Sequence, residues 1–168
     1  VILLTGPVVA SQIMYYTYKE NHNPKEFLII QPNIDPYSDK FSGMSQDEQD
    51  EILIKIASEG ATEGTAMIVA PETFTSNLLE NDPLRSGTVP KFIRLLKTTG
   101  VSDILFGAQT FRVYPSYNHT GPPTLTARKT DGGWYDSFNT AVYLDSTGRI
   151  DYYHKSKLVV GVEYLPYP

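Results

Sequence analysis

Apolar and polar positions along this chain fall into blocks whose spacing changes from one segment to the next. Val1 to Met14 is predominantly apolar and is followed by a tyrosine cluster (Tyr15, Tyr16, Tyr18) and the charges Lys19 and Glu20. A membrane-spanning helix needs about 20 apolar residues and favours aromatic residues where it leaves the bilayer, so residues 1–18 read as the end of a transmembrane helix. A buried core helix or strand is the alternative reading of so short a run. No basic n-region or small-residue cleavage site marks it as a signal peptide. Residues 19–26, with Asn21 to Pro24 at their centre, read as a linker.

Strand and helix patterns then alternate. Phe27 to Ile30 is continuously apolar and stops at Gln31-Pro32-Asn33, which predicts a strand buried on both faces. Ser45-Gln46-Asp47-Glu48 has the S-x-x-E form of a capping box, and Ile52, Leu53 and Ile56 follow at helical spacing until Gly60 and Gly64. Met67 to Ala70 predicts a second strand, stopped at Pro71. Phe92, Ile93, Leu95 and Leu96 predict a second helix ended near Gly100, and Ile104 to Phe111 a third strand. Tyr114 to Trp134 is rich in Pro, Gly, Asn and Thr, as in a long loop or distorted hairpin. Asn139 to Leu144 and Arg149 to His154 bracket the turn Asp145-Ser146-Thr147-Gly148, a hairpin signal. The order β-α-β-α-β followed by a hairpin indicates an α/β layered fold with a mixed sheet.

Composition narrows the functional classes. A length of 168 residues corresponds to one globular unit, and nothing in the apolar or charged share suggests disorder. The net charge is −5, and basic residues do not cluster beyond Lys155 and Lys157, so no phosphate-neutralising surface is expected and nucleic acid is not a predicted partner. There is no cysteine, which excludes disulfides, thiolate zinc sites and a cysteine nucleophile within these residues. His22, His119 and His154 are far apart and fit no metal-binding spacing, so neither a metal nor a cofactor is expected. The Asn118-His119-Thr120 sequon matters only in a glycosylating host.

Two residues stand where chemistry is placed in α/β folds. Glu72, in Ala70-Pro71-Glu72-Thr73-Phe74, follows a buried strand directly, at the carboxyl end where open sheets bind ligands. A partly desolvated carboxylate there suits a general base, whereas an exposed glutamate at a helix start is the plainer reading. Lys155 ends Tyr152-Tyr153-His154-Lys155 and suits stabilisation of a developing oxyanion, or else a solvated sheet edge. Glu163, in Gly161-Val162-Glu163-Tyr164-Leu165-Pro166, is similarly ambiguous, with an ion pair to Lys157 or Lys155 as its ordinary role.

Together, the segments around these residues resemble the nitrilase (carbon–nitrogen hydrolase) superfamily, and within it the apolipoprotein N-acyltransferase family. The matching pieces are IIQPN from Ile29, APETF from Ala70, LFGAQTF from Leu105, FNTAVYLDSTGRIDYYHKSKL from Phe138 and GVEYLPYP from Gly161. Each is short, and their order and spacing carry the resemblance, which spans Phe27 to Pro168. It implies a nitrilase-like α-β-β-α sandwich with a mixed sheet, incomplete here, with residues 27–168 as the N-terminal part of the catalytic domain. By the same resemblance Glu72 matches the general base, Lys155 the lysine of the Y-x-K-x-x-L motif, and Glu163 the second glutamate. Where the acyltransferases commonly read L-V-P-F-G-E, this chain reads Leu158-Val159-Val160-Gly161-Val162-Glu163, which keeps the glutamate but changes residues before it.

The family's nucleophile is a cysteine beyond the second glutamate, so these residues alone would be inactive. In the family scheme the glutamate deprotonates the cysteine, the thiolate attacks an ester or amide carbonyl, and the lysine holds the oxyanion of a reaction that passes through a thioester. The resemblance then implies a membrane-associated N-acyltransferase of the bacterial inner membrane, with its catalytic domain on the periplasmic side. A phospholipid would be the acyl donor and the amine of a diacylglyceryl-cysteine lipoprotein the acceptor. The apolar, tyrosine-ended start favours this branch over a soluble amidase or nitrilase, the alternative enzyme. A non-catalytic lipid- or lipoprotein-binding module is the alternative from another class.

Overall fold

The computed structural model describes residues 2–20, 22–34, 43–116 and 121–157. They form a mixed α/β fold around one open, mixed sheet. In chain order the elements are α1 (Ile2–Thr17), β1 (Glu26–Ile29), α2 (Gln46–Gly60), β2 (Thr65–Val69) and β3 (Thr75–Leu79). A short 3-10 turn (Pro83–Arg85), α3 (Thr88–Thr99), β4 (Asp103–Pro115), β5 (Arg128–Thr130), β6 (Gly133–Asp145) and β7 (Ile150–His154) follow.

Strand order explains how distant segments meet. β1, β2 and β4 run parallel, which places a helix in each connection, while β6 runs antiparallel to β4 along the whole length of both. β3 lies on the same side of β4 as β2 but further along it, so β2 and β3 form one interrupted line. On the outer side of β6, β7 pairs with residues 140–144 and β5 with residues 133–135. The two arms of the β6–β7 hairpin are joined through Gly148, whose φ of 93° is the left-handed geometry that glycine accepts without strain.

α2 and α3 cover one face of this sheet. Ser45 caps α2 as its sequence predicts: the Glu48 N–H donates to Ser45 Oγ at 3.2 Å and the Ser45 N–H donates to Glu48 Oε2 at 2.7 Å. Leu53 and Ala57 of α2 and Val89, Phe92, Leu95 and Leu96 of α3 pack on Ile68, Ile104, Phe106, Ala108, Val142 and Leu144, alternate residues of three adjacent strands. The Phe92 and Phe106 rings meet edge-on at 5.1 Å. α3 stops at Gly100, which takes φ 78° and donates its N–H to Leu96 O.

The opposite face carries the other alternate set, including Phe27, Ile29, Met67, Val69, Leu105 and Tyr153, and no helix among the described residues covers it. This corrects the expectation for the first strand. Leu28 and Ile30 face the core, but Phe27 and Ile29 are 54% and 75% exposed. A four-residue apolar run looks the same whether one face or both are covered. Two further segments add strands: one whose sequence carries no strand signal, and one that reads as a long loop or distorted hairpin. β3 follows Glu72 closely, and within Tyr114 to Trp134 the third strand continues to Pro115 while β5 forms a short ladder with β6.

From Thr5 on, no described side chain of α1 belongs to this core: Val8, Val9, Ile13, Met14 and Tyr16 are all exposed. No helix among the described residues is long and apolar enough to cross a membrane.

Candidate functional site

Glu72 sits in the interruption between β2 and β3. The pairs Val69–Leu105 and Thr75–Ala108 leave five residues, 70–74, facing only two, 106 and 107, so the chain must loop out of the sheet line. Ala70 N–H still donates to Leu105 O, and Gly107 N–H to Pro71 O at 3.1 Å. Glu72 and Thr73 form the crest of the loop, and buried Phe74 returns it to the core. Thr73 takes φ 53°, a left-handed conformation that is strained for a β-branched residue. The loop passes directly over Gly107, where an added β-carbon would lie 2.5 Å from Glu72 Cα and from Thr73 N. Glu72 is thus in a turn between strands, not at a helix start.

Lys155 reaches the same place from the other edge. It follows β7 directly, and its N–H donates to Asn139 O at 2.8 Å, continuing the ladder by one residue. Because successive side chains alternate across a strand, Lys155 emerges on the face opposite His154. Its Nζ donates to Glu72 Oε1 at 3.0 Å, and Asn139 Nδ2 donates to the same oxygen at 2.8 Å. Three side chains from the β2–β3 loop, β6 and the end of β7 therefore converge on the uncovered face. With Ala70, Leu105, Gly107, Ala141 and Tyr153 they line a shallow pocket of about 260 Å³.

The convergence has clear chemical capacities. A carboxylate oxygen held by two donors is a fixed proton acceptor, and the ammonium that orients it also supplies positive charge beside the pocket. The desolvation expected of Glu72 is not supplied by the described residues, since its side chain is 63% exposed and that of Lys155 31%. Asn139 is the member that sequence reasoning missed. Its signal was the alternation of β6, which puts it on the same face as Ala141, but the register of β6 against β4 was needed to bring it to Glu72. Glu163 and the GVEYLPYP segment lie outside the described residues, as do Asn118 and His119. Among the described residues no group of acidic and histidine side chains is arranged to hold a metal ion.

No family model matches the chain, and no curated protein matches it significantly.

Proposed function

We propose that this chain is the N-terminal part of a nitrilase-type catalytic domain, in which Glu72 is the general base and Lys155 stabilises the oxyanion. The observation that carries this reading is the 3.0 Å contact between Lys155 Nζ and Glu72 Oε1, on the open face of the sheet and beside a pocket. Neither residue would be singled out alone. Two strand-end residues that meet across β4 and β6 meet a geometric requirement that sequence order does not impose.

The uncovered sheet face supports the architectural part of the proposal. A face carrying Phe27, Ile29, Met67, Val69 and Leu105 suits burial against a second sheet, as in an α-β-β-α sandwich. That second sheet would also remove water from Glu72 and provide the desolvation a general base needs. The nucleophile would be a cysteine in chain following residue 168, because these residues contain none. Glu163 is proposed as a second acidic residue of the completed site.

The reaction proposed is transfer of an acyl chain from a phospholipid to the N-terminal amine of a diacylglyceryl-cysteine lipoprotein. The cysteine thiol loses its proton to Glu72 and attacks the donor ester, and the lysophospholipid leaves as the alcohol. Attack of the acceptor amine on the thioester then forms the amide and releases the thiol. What favours lipid over a soluble amide is α1, where Val8, Val9, Ile13, Met14, Tyr15 and Tyr16 are exposed. The proposed setting is the bacterial inner membrane, with the catalytic domain on its periplasmic side. The test is acyl transfer by the full-length protein with Glu72→Gln or Lys155→Ala, measured beside ammonia release from simple amides. Amide hydrolysis without acyl transfer would assign the chain to the soluble hydrolases.

A further inference from the structure

Behind this site, on the face that carries α2 and α3, lies a buried carboxylate cluster for which the proposed chemistry has no use. Glu80 follows β3 directly and its side chain is only 3% exposed. Its Oε1 lies 2.6 Å from His154 Nε2 and accepts from Thr110 Oγ1 at 2.7 Å, while its Oε2 accepts from Arg112 Nε at 3.0 Å and Nη2 at 2.8 Å. Facing a carboxylate paired with arginine, Nε2 is the ring nitrogen that carries the proton. The His154 ring lies flat on Phe138 at 3.9 Å, with an interplanar angle of 2°.

The Lys155–Glu72 ion pair and the His154–Glu80 hydrogen bond join the same two segments. Glu72 and Glu80 lie at the two ends of the β3 region, and His154 and Lys155 are consecutive residues pointing to opposite faces. The end of β7 is therefore gripped from both sides by the segment that carries Glu72. β7 needs such a grip, because among the described residues its only strand partner is β6. A buried polar cluster contributes little net stability over apolar packing, and its best-attested use is to fix register, which is the requirement here.

We propose that Glu80 and His154 are positioning residues, which fix the end of β7 and thereby set where Lys155 Nζ meets Glu72. The importance of that placement rests on the catalytic reading above, but the placement itself is measurable without it. The measurement is trace acetylation of lysine amines in the intact chain, with rates compared peptide by peptide by mass spectrometry. His154→Phe keeps a ring to stack on Phe138 and removes both ring nitrogens, including the one that reaches Glu80. It should raise the labelling rate of Lys155 relative to Lys97 and Lys129 by about three-fold, the factor expected when an exposed ion pair is lost. Glu72→Gln should do the same, and His154→Gln, which restores a donor toward Glu80, should return the rate toward wild type. If His154→Phe does not fold by circular dichroism, Glu80→Gln carries the same expectation. Wild-type labelling of Lys155 in either folded variant would overturn the positioning role. Raised labelling, together with full-length acyl transfer that is indifferent to Glu72→Gln, would leave the latch standing and overturn only the catalytic reading.

Discussion

Gly107 and Glu72 compete for one space: a β-carbon on residue 107 would stand 2.5 Å from the α-carbon of Glu72, far inside van der Waals contact. The neighbour is backbone, held by the Gly107 N–H bond to Pro71 O, so it cannot swing aside as a side chain would. Gly107→Ala should therefore lower unfolding stability by about 1–3 kcal/mol, the usual range for overpacking a well-filled site. Displacing the loop should also separate Glu72 from Lys155. Urea unfolding checks the first effect, and a wild-type midpoint would mean that the loop does not pass over Gly107 this closely.

Much of the fold was legible because hydrophobic period reports directly on which faces are buried. Leu53, Phe92, Leu95 and Leu96 are core residues of the two helices where spacing placed them, and the Asp145–Gly148 turn joins the two arms of the hairpin. β3 was not legible for a physical reason. Its sequence, Thr75-Ser76-Asn77-Leu78-Leu79, lacks alternation, Asn77 takes φ 58°, and the register slips between Thr75 and Leu78. Of the site, Glu72 and Lys155 were readable as strand-end residues. Their contact was not, because it depends on the register of β4, β6 and β7, and the roles of Asn139 and Gly107 depend on that same register.

Tyr152 offers a test of the interior beneath β7. Its hydroxyl is buried with no hydrogen-bond partner among the described residues, and burial, with the Glu80 charge second, pushes its pKa up to about 12. An unmet buried hydroxyl costs about 1–3 kcal/mol, so Tyr152→Phe should leave stability unchanged or raise it by about 1 kcal/mol. The phenol ionises more readily in the unfolded chain, so the wild type loses stability as pH rises from about 10 toward 12. Tyr152→Phe should remove that loss. A clear fall in melting temperature at neutral pH would show that the hydroxyl is paired.

Asp136 makes the opposite prediction at low pH. Burial alone would raise its pKa, but hydrogen bonds from Thr126, Thr124 and Tyr114 outweigh burial and hold it below the usual carboxylate range. A carboxyl group with a depressed folded pKa contributes stability above its unfolded pKa of about 4, and that contribution is lost as pH falls through the folded value. Asp136→Asn should cost about 1–3 kcal/mol near neutrality and make the acid limb of the stability curve shallower. Parallel acid limbs for the two proteins would refute the linkage.

The most direct test of the central claim is the rate of acyl transfer from phospholipid to a diacylglyceryl-cysteine peptide by the full-length protein, with Glu72 or Lys155 replaced. Glu72→Gln keeps the shape of the side chain and removes the base, and Lys155→Ala removes the charge beside the pocket. Each should lower the rate by about 100-fold or more while the folded fraction is unchanged, the scale of losing a general base or an oxyanion donor. Transfer at near wild-type rate in either folded variant would contradict the assignment of that residue.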